Sequence, residues 1–234
     1  MNAYLRTLRD KLCQSTTQFC RECFRSSPYE QLQNPPNVFR IPNDGISIPL
    51  AFIFDKPNDN TTLKSSPLVP ITIYDDRAGT DRRLHRAQSH STLLLLCKML
   101  NFIPEDSDSL ESDLIYITNA VKCDICCTTG TTGRVKINAR QAAVCRKTFL
   151  FNELTAVNAR GLVFFGANAQ EFVLGESTPL WSIVRKQLNS LDYWVLRVPH
   201  TSPTSFNTHG GKGRHYLAPF QDLQRKVVAE ACLS

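Results

Sequence analysis

The sequence predicts an α/β fold: a three-layer α/β/α sandwich around a central, mainly parallel four-stranded sheet. Four short runs rich in β-branched and aromatic residues read as buried strands: IPLAFIF (Ile48 to Phe54), LIYIT (Leu114 to Thr118), GLVFFG (Gly161 to Gly166) and YWVLRVP (Tyr193 to Pro199). Helix-like runs separate or flank them: STLLLLCKML (Ser91 to Leu100), NARQAAVCRKTFLFNEL (Asn138 to Leu154), NAQEFVLG (Asn168 to Gly175) and WSIVRKQLN (Trp181 to Asn189). Strands alternating with helices imply parallel pairing with both sheet faces covered. In such sheets ligands bind beyond the carboxyl ends of the strands.

Taken in order, Asn2 to about Phe24 carries helical periodicity through Tyr4, Leu5, Leu8 and Leu12, and the Pro- and Asn-rich passage QNPPNVFRIPNDG is loop leading into the first strand. After that strand comes a long polar insertion, residues 56–90, in which PITIYDD offers an extra edge strand. LIYIT runs into TNAVKCDICC, and TTGTTG (Thr128 to Gly133) is a low-complexity loop. The last strand delivers HTSPTSFNTHGGKGRHY, a basic loop over residues 202–216. With 234 residues, 42% of them hydrophobic, and no internal repeat or linker, residues 1–234 are expected to form one domain.

The formal charge of +6 and a pI near 8.9 favour a polyanionic partner such as nucleic acid. MNAYLRTLRDKL has no apolar export region, and no uninterrupted apolar run reaches the length of about 18 residues that a membrane span needs. A cytoplasmic location is therefore expected, nucleoid-associated in a prokaryote. In that compartment the nine cysteines are thiols or metal ligands rather than disulfides. Cys20 and Cys23 form a C-x2-C pair after the first helix, and Cys123 and Cys145 flank the TTGTTG loop. Four thiolates from two regions close a zinc site or hold a [4Fe-4S] cluster, and spacing alone does not choose between them. Cys126 and Cys127 lie close enough to Cys123 to replace it, Cys13 is ambiguous, and Cys97 and Cys232 read as a buried hydrophobe and a terminal thiol.

The order of these pieces resembles a known family. A helix ending in C-x2-C, a strand leading into an acidic Pro-containing turn, ITNAVKC (Ile117 to Cys123), QAAVCR (Gln141 to Arg146), FFGA and a final strand ending in H-x-S are similar to the iron-sulfur-containing branch of the uracil-DNA glycosylase superfamily, from about Leu5 to Leu223. The resemblance implies cluster ligands at Cys20, Cys23, Cys123 and Cys145, with a structural [4Fe-4S] cluster and zinc as the alternative. It implies catalytic roles for Asp55, in FIFDKPNDN, and His200, and substrate binding by Asn119, Ser202 and Phe54. Asp75 or Asp76 in YDDRAG is the rival for the acid, and that placement leaves IPLAFIF without a role. Thr201 stands where the family has proline after the histidine. The ring expected to stack on uracil falls near Gln88, where there is no aromatic; Tyr74 and His85 are the rings available in the insertion.

The implied chemistry suits these residue types. Breaking an N-glycosidic bond builds positive charge on the sugar and negative charge on the base, so a carboxylate and a hydrogen-bond donor are needed together. Asp55 would orient water on the sugar or support its charge, and His200 would donate to uracil O2. Asn119 would donate to O4 and accept from N3–H, a pattern that cytosine reverses. The target must first leave the duplex. Lys212 and Arg214 would then face phosphates, with Phe206 as a wedge; RRLHR (Arg82 to Arg86) and the cations around Cys145 are further basic stretches. Singly, Asn119, His200 and Asp55 each have an ordinary reading as a turn cap, a loop histidine and a turn former. Together they fall at the carboxyl ends of three strands. The expected protein is a monomeric, monofunctional glycosylase acting on uracil, and on other deaminated bases, in DNA. The alternatives are a DNA-binding relative without efficient excision, and an unrelated α/β enzyme or zinc-stabilised module.

Overall fold

The structure, a computed structural model, describes Thr7 and residues 48–55, 91–107, 110, 112–121, 127–129, 135–137 and 139–231. The expected N-terminal helix with Cys13, Cys20 and Cys23, the 56–90 insertion with Tyr74, Asp75, Asp76, His85 and Gln88, and Cys123, Cys126 and Cys232 lie outside the described residues.

LAFIF has no polar face to give to water, and the strand it forms, β1 (Leu50–Phe54), is buried along its whole length inside the sheet. The same holds for β2 (Ile115–Asn119) and β5 (Gly161–Phe165), which flank it in parallel. Parallel strands covered on both faces are expected to be continuously apolar, as these are. β7 (Leu191–Val198) pairs in parallel with β5, so the four expected strands are present and parallel. The sheet runs β2-β1-β5-β7, with β6 (Ile183–Leu188) at the edge beyond β7.

The fifth strand, β6 (Ile183–Leu188), corrects the expectation of a helix over Trp181 to Asn189. Trp181, Val184 and Leu188 fall at a helical spacing, but IVRKQL pairs antiparallel with β7 across a two-residue turn. Asn189 and Ser190 both hold positive φ, 50° and 66°, which is the primed-turn geometry that a tight hairpin requires. A second, smaller sheet pairs β3 (Cys127–Thr129) with β4 (Val135–Ile137), so the flanks of the TTGTTG stretch are antiparallel strands rather than loop.

Alternation along the strands sends successive residues to opposite layers. Leu50, Phe52 and Phe54 join Ile115, Ile117, Val163, Phe165, Leu196 and Val198 on one face. They are covered by α1 (residues 91–99) and by α6 (Arg214–Ala231), through Leu93, Leu96, Cys97, Phe220, Leu223 and Val227. Ala51, Ile53, Tyr116, Leu162, Phe164 and Val195 occupy the other face. Their cover is α2 (Ala139–Cys145), a π-helical turn (Arg146–Leu150), α3 (Phe151–Val157) and α4 (Ala167–Leu174). The result is the expected three-layer arrangement.

The expected 202–216 loop is helical instead: α5 (Pro203–Thr208), a short 3₁₀ turn (Gly211–Gly213) and the start of α6. Tyr216, Phe220, Leu223 and Val227 form the buried stripe of α6, and Pro219 within it obscures the helical pattern. Phe206 is only 5% exposed and its ring lies 5.5 Å from that of Tyr216, so the residue expected to act as a wedge belongs to the core.

Phe52 sits at the centre of the first layer, fully buried, with Phe165, Phe102 and Phe220 rings at 5.2, 5.5 and 5.6 Å. Phe52→Ala is expected to cost about 3–5 kcal/mol of stability through lost burial and a residual cavity. Urea unfolding would read this as a lower midpoint with little change in slope.

Candidate active site

The pairing register gathers the carboxyl ends of the strands at one edge. Phe54 stands opposite Asn119 across β1 and β2, and Phe165 opposite Val198 across β5 and β7. Pairing continues past the first two strands: Ala120 N–H donates to the Phe54 carbonyl at 2.7 Å and Val121 N–H to the Asp55 carbonyl at 3.0 Å. Asp55, directly after β1, is therefore tied to the segment that follows Asn119. On the other side, Gly166 N–H donates to the Val198 carbonyl at 2.9 Å. Gly166 has φ +98°, a conformation open to glycine, and a Cβ there would lie 3.9 Å from His200 Cβ. FFGA thus lets the β5 turn pass beside the histidine.

His200 is the best defined of these residues. Ser202 N–H donates to its Nδ1 at 3.0 Å, so in the neutral ring the proton is on Nε2, which leaves that nitrogen as the donor. The ring stands perpendicular to Phe54 with centroids 5.8 Å apart. Burial pushes its pKa below the ordinary 6.5, and the negative charge of Asp55 opposes that shift, which also places the carboxylate within electrostatic reach.

Asn119 is 5% exposed, and alternation sends it to the face opposite its neighbour Thr118. Thr118 donates through Oγ1 to Oε2 of the fully buried Glu153 on α3 at 2.7 Å, which anchors the end of β2 from beneath. Burial, and then the Glu153 charge, push the Tyr116 hydroxyl well above its ordinary pKa.

Phe54 is 2% exposed and lies flat on Phe165, with centroids at 4.5 Å and planes 6° apart. One of its faces is therefore taken, and it backs the histidine rather than offering an open platform. Ser202 contributes its backbone N–H to His200 and precedes Pro203, the first residue of α5. Thr201 is fully buried, and its hydroxyl has no hydrogen-bond partner among the described residues.

Lys212 and Arg214 are exposed, beside exposed His209 and His215. Lys212 holds φ 54° between two glycines that also have positive φ, so this turn is built from left-handed residues. The sequence reading missed Tyr216, whose hydroxyl donates to the Pro199 carbonyl at 3.0 Å, and Trp181, whose ring meets Tyr216 edge-on at 5.0 Å. An aromatic in GRHY was visible, but its contact with a residue far back in the chain was not.

Of the four expected cluster ligands, Cys145 alone is described. It closes α2, is 3% exposed, and belongs to the same buried cluster as Ala120 and Val121. Val121 lies two residues before Cys123, a reach of at most about 7 Å of extended chain. Among the described residues no group of three His, Cys, Asp or Glu side chains forms a metal site, and no helix is long and apolar enough to cross a membrane.

No curated protein matches the chain. The family model described as the uracil DNA glycosylase superfamily matches residues 84–224, well over half of the sequence and inclusive of Asn119, Cys145 and His200. The match spans β2, β5, β6 and β7 of the main sheet and begins after β1 and Asp55; the chain belongs to the uracil DNA glycosylase superfamily.

Proposed function

We propose that the protein hydrolyses the N-glycosidic bond of uracil in DNA, releasing free uracil and leaving an abasic site. The observation that carries this reading is the convergence of Asp55, Asn119 and His200 at one sheet edge, with His200 held as an Nε2–H donor. In the reaction the C1′–N1 bond breaks with its electron pair staying on the base, water adds to C1′ through its oxygen, and the proton it loses ends on the uracil anion. Asp55 supports the positive sugar and orients the water. His200 Nε2–H donates to uracil O2 as the ring becomes an anion, and in a desolvated site such a donor is worth far more than in water. Asn119 reads the O4 and N3–H edge, and its burial makes a mismatched base costly by leaving polar groups unpaired.

Cys20, Cys23, Cys123 and Cys145 would hold a [4Fe-4S] cluster, or zinc in its place. Bound there, the group would supply a structural clamp rather than electrons, since hydrolysis has no redox step. Lys212 and Arg214, exposed on the turn after His200, would contact phosphates.

Three outcomes follow. In alkaline cleavage of a labelled oligonucleotide carrying one uracil, wild-type protein gives product, and His200→Ala lowers the single-turnover rate by about 10²- to 10³-fold. Asp55→Asn and Asn119→Ala are also expected to be strongly impaired, and product from wild type without uracil release would sink the reading. If wild type gives none on single- or double-stranded substrate while still binding DNA, the protein is a binding relative instead.

The second outcome concerns pH. His200 works as the neutral donor, and its folded pKa lies below 6.5, so protonation removes the active form only as pH falls below that value. The acid limb of the single-turnover profile is therefore expected below 6.5. By the same shift the unfolded chain binds the extra proton first. The stability this group contributes is present above about 6.5 and is lost as pH falls through the folded value.

Third, iron and acid-labile sulfide are expected in the purified protein and are expected to fall in Cys145→Ser. Zinc without sulfide would select the alternative metal.

A further inference from the structure

The backbone that presents His200 is held by one buried hydroxyl. Tyr216 Oη donates to the carbonyl of Pro199, the residue directly before His200, at 3.0 Å. Proline has no N–H, so this carbonyl is the only backbone hydrogen-bonding handle at position 199. Tyr216 is fully buried, and burial pushes its pKa upward, so the hydroxyl remains a donor throughout the neutral range.

The ring that carries this hydroxyl is fixed on several sides. Trp181 meets it edge-on at 5.0 Å, and Phe206 and Phe220 lie at 5.5 and 6.2 Å. Trp181 holds φ 68°, a left-handed conformation that strains a bulky residue. Its backbone N–H donates to the Arg197 carbonyl at 2.9 Å, on β7, the strand that ends two residues before His200. Gly210 also approaches the ring closely: a Cβ there would stand 2.5 Å from Tyr216 Cε2 and 3.2 Å from its hydroxyl oxygen. A strained tryptophan and a glycine without room for a side chain therefore hold one hydroxyl against one carbonyl.

We propose that Tyr216 is a positioning residue, whose hydroxyl sets the Pro199–His200 peptide so that Nε2–H of His200 points at the base. His200 is then located twice, at its backbone by Tyr216 and at its ring by Ser202 N–H. The proposal rests on the base-excision reading, and its test separates the two.

Tyr216→Phe keeps the ring and removes only the hydroxyl. On a uracil oligonucleotide it is expected to lower kcat about tenfold with KM little changed, the effect of misplacing a catalytic group without touching substrate binding. In a His200→Ala background the same substitution is expected to cost nothing further, because the group it positions is gone. An equal loss in both backgrounds, or no loss in either, overturns the proposal. A second readout needs no activity: the ¹⁵N resonances of His200 in the folded protein are expected to shift in Tyr216→Phe, and unchanged resonances overturn the proposal. If wild type excises no uracil, the functional reading fails while this spectrum still decides the role of Tyr216. Should the phenylalanine variant not fold, 3-fluorotyrosine at 216 retains the ring and strengthens the donor; it moves the His200 resonances if the two are linked and leaves them in place if they are not.

Discussion

In-register parallel pairing of β1 with β2, which sets Phe54 opposite Asn119, is the constraint on which the site depends. It brings Asp55 to within one residue of the level of Asn119 at the sheet edge, and the two backbone bonds beyond the strands carry that alignment onward. A slip of one residue would exchange the faces of β2 and send Asn119 to the layer that Thr118 and Glu153 now occupy. The continuous burial of both strands makes such a slip expensive, because the apolar residues of each face fit a different helical layer. Core packing thus decides where a polar side chain points.

The electrostatics follow from the same edge. A histidine taken out of water prefers to be neutral, and a nearby carboxylate pulls the other way. Burial wins in direction here, which leaves a neutral imidazole beside an acidic residue. In the proposed reaction such an arrangement separates the two tasks of glycosidic cleavage: the negative charge of Asp55 would meet the sugar, and the proton on Nε2 would meet the base. The neutral tautomer is set by a single amide, Ser202 N–H, so the residues just after His200 decide which ring nitrogen carries the proton.

The sheet was legible because each of its parallel strands contains a short apolar run bounded by turn residues. The placement of Asp55, Asn119 and His200 at the sheet edge was legible because they sit immediately beyond those runs. β6 was not, since Trp181, Val184 and Leu188 share a helical spacing and the deciding feature is the left-handed pair Asn189 and Ser190. Pro219 concealed α6 in the same way, although the buried stripe from Tyr216 to Val227 runs straight through it. Phe206 was misread because a basic, Gly-rich segment suggests a solvent-facing loop, while tertiary packing folds it onto Tyr216. The Tyr216–Pro199 bond had no local signature, because it joins residues that only the fold brings together.

Thr201 shows how these pieces depend on one another. In the related motif a proline follows the histidine and fixes the backbone there; here the position is a buried threonine whose hydroxyl lacks a partner among the described residues. Such a hydroxyl costs about 1–3 kcal/mol, so the substitution brings no evident stability of its own. The restraint instead comes from the residues on either side. Pro199 fixes φ before the histidine, Tyr216 holds the Pro199 carbonyl, and Ser202 closes back onto the ring. A histidine pinned from both neighbours has no need of a rigid residue immediately after it, which reconciles the departure at Thr201 with a site that still presents Nε2–H in one direction.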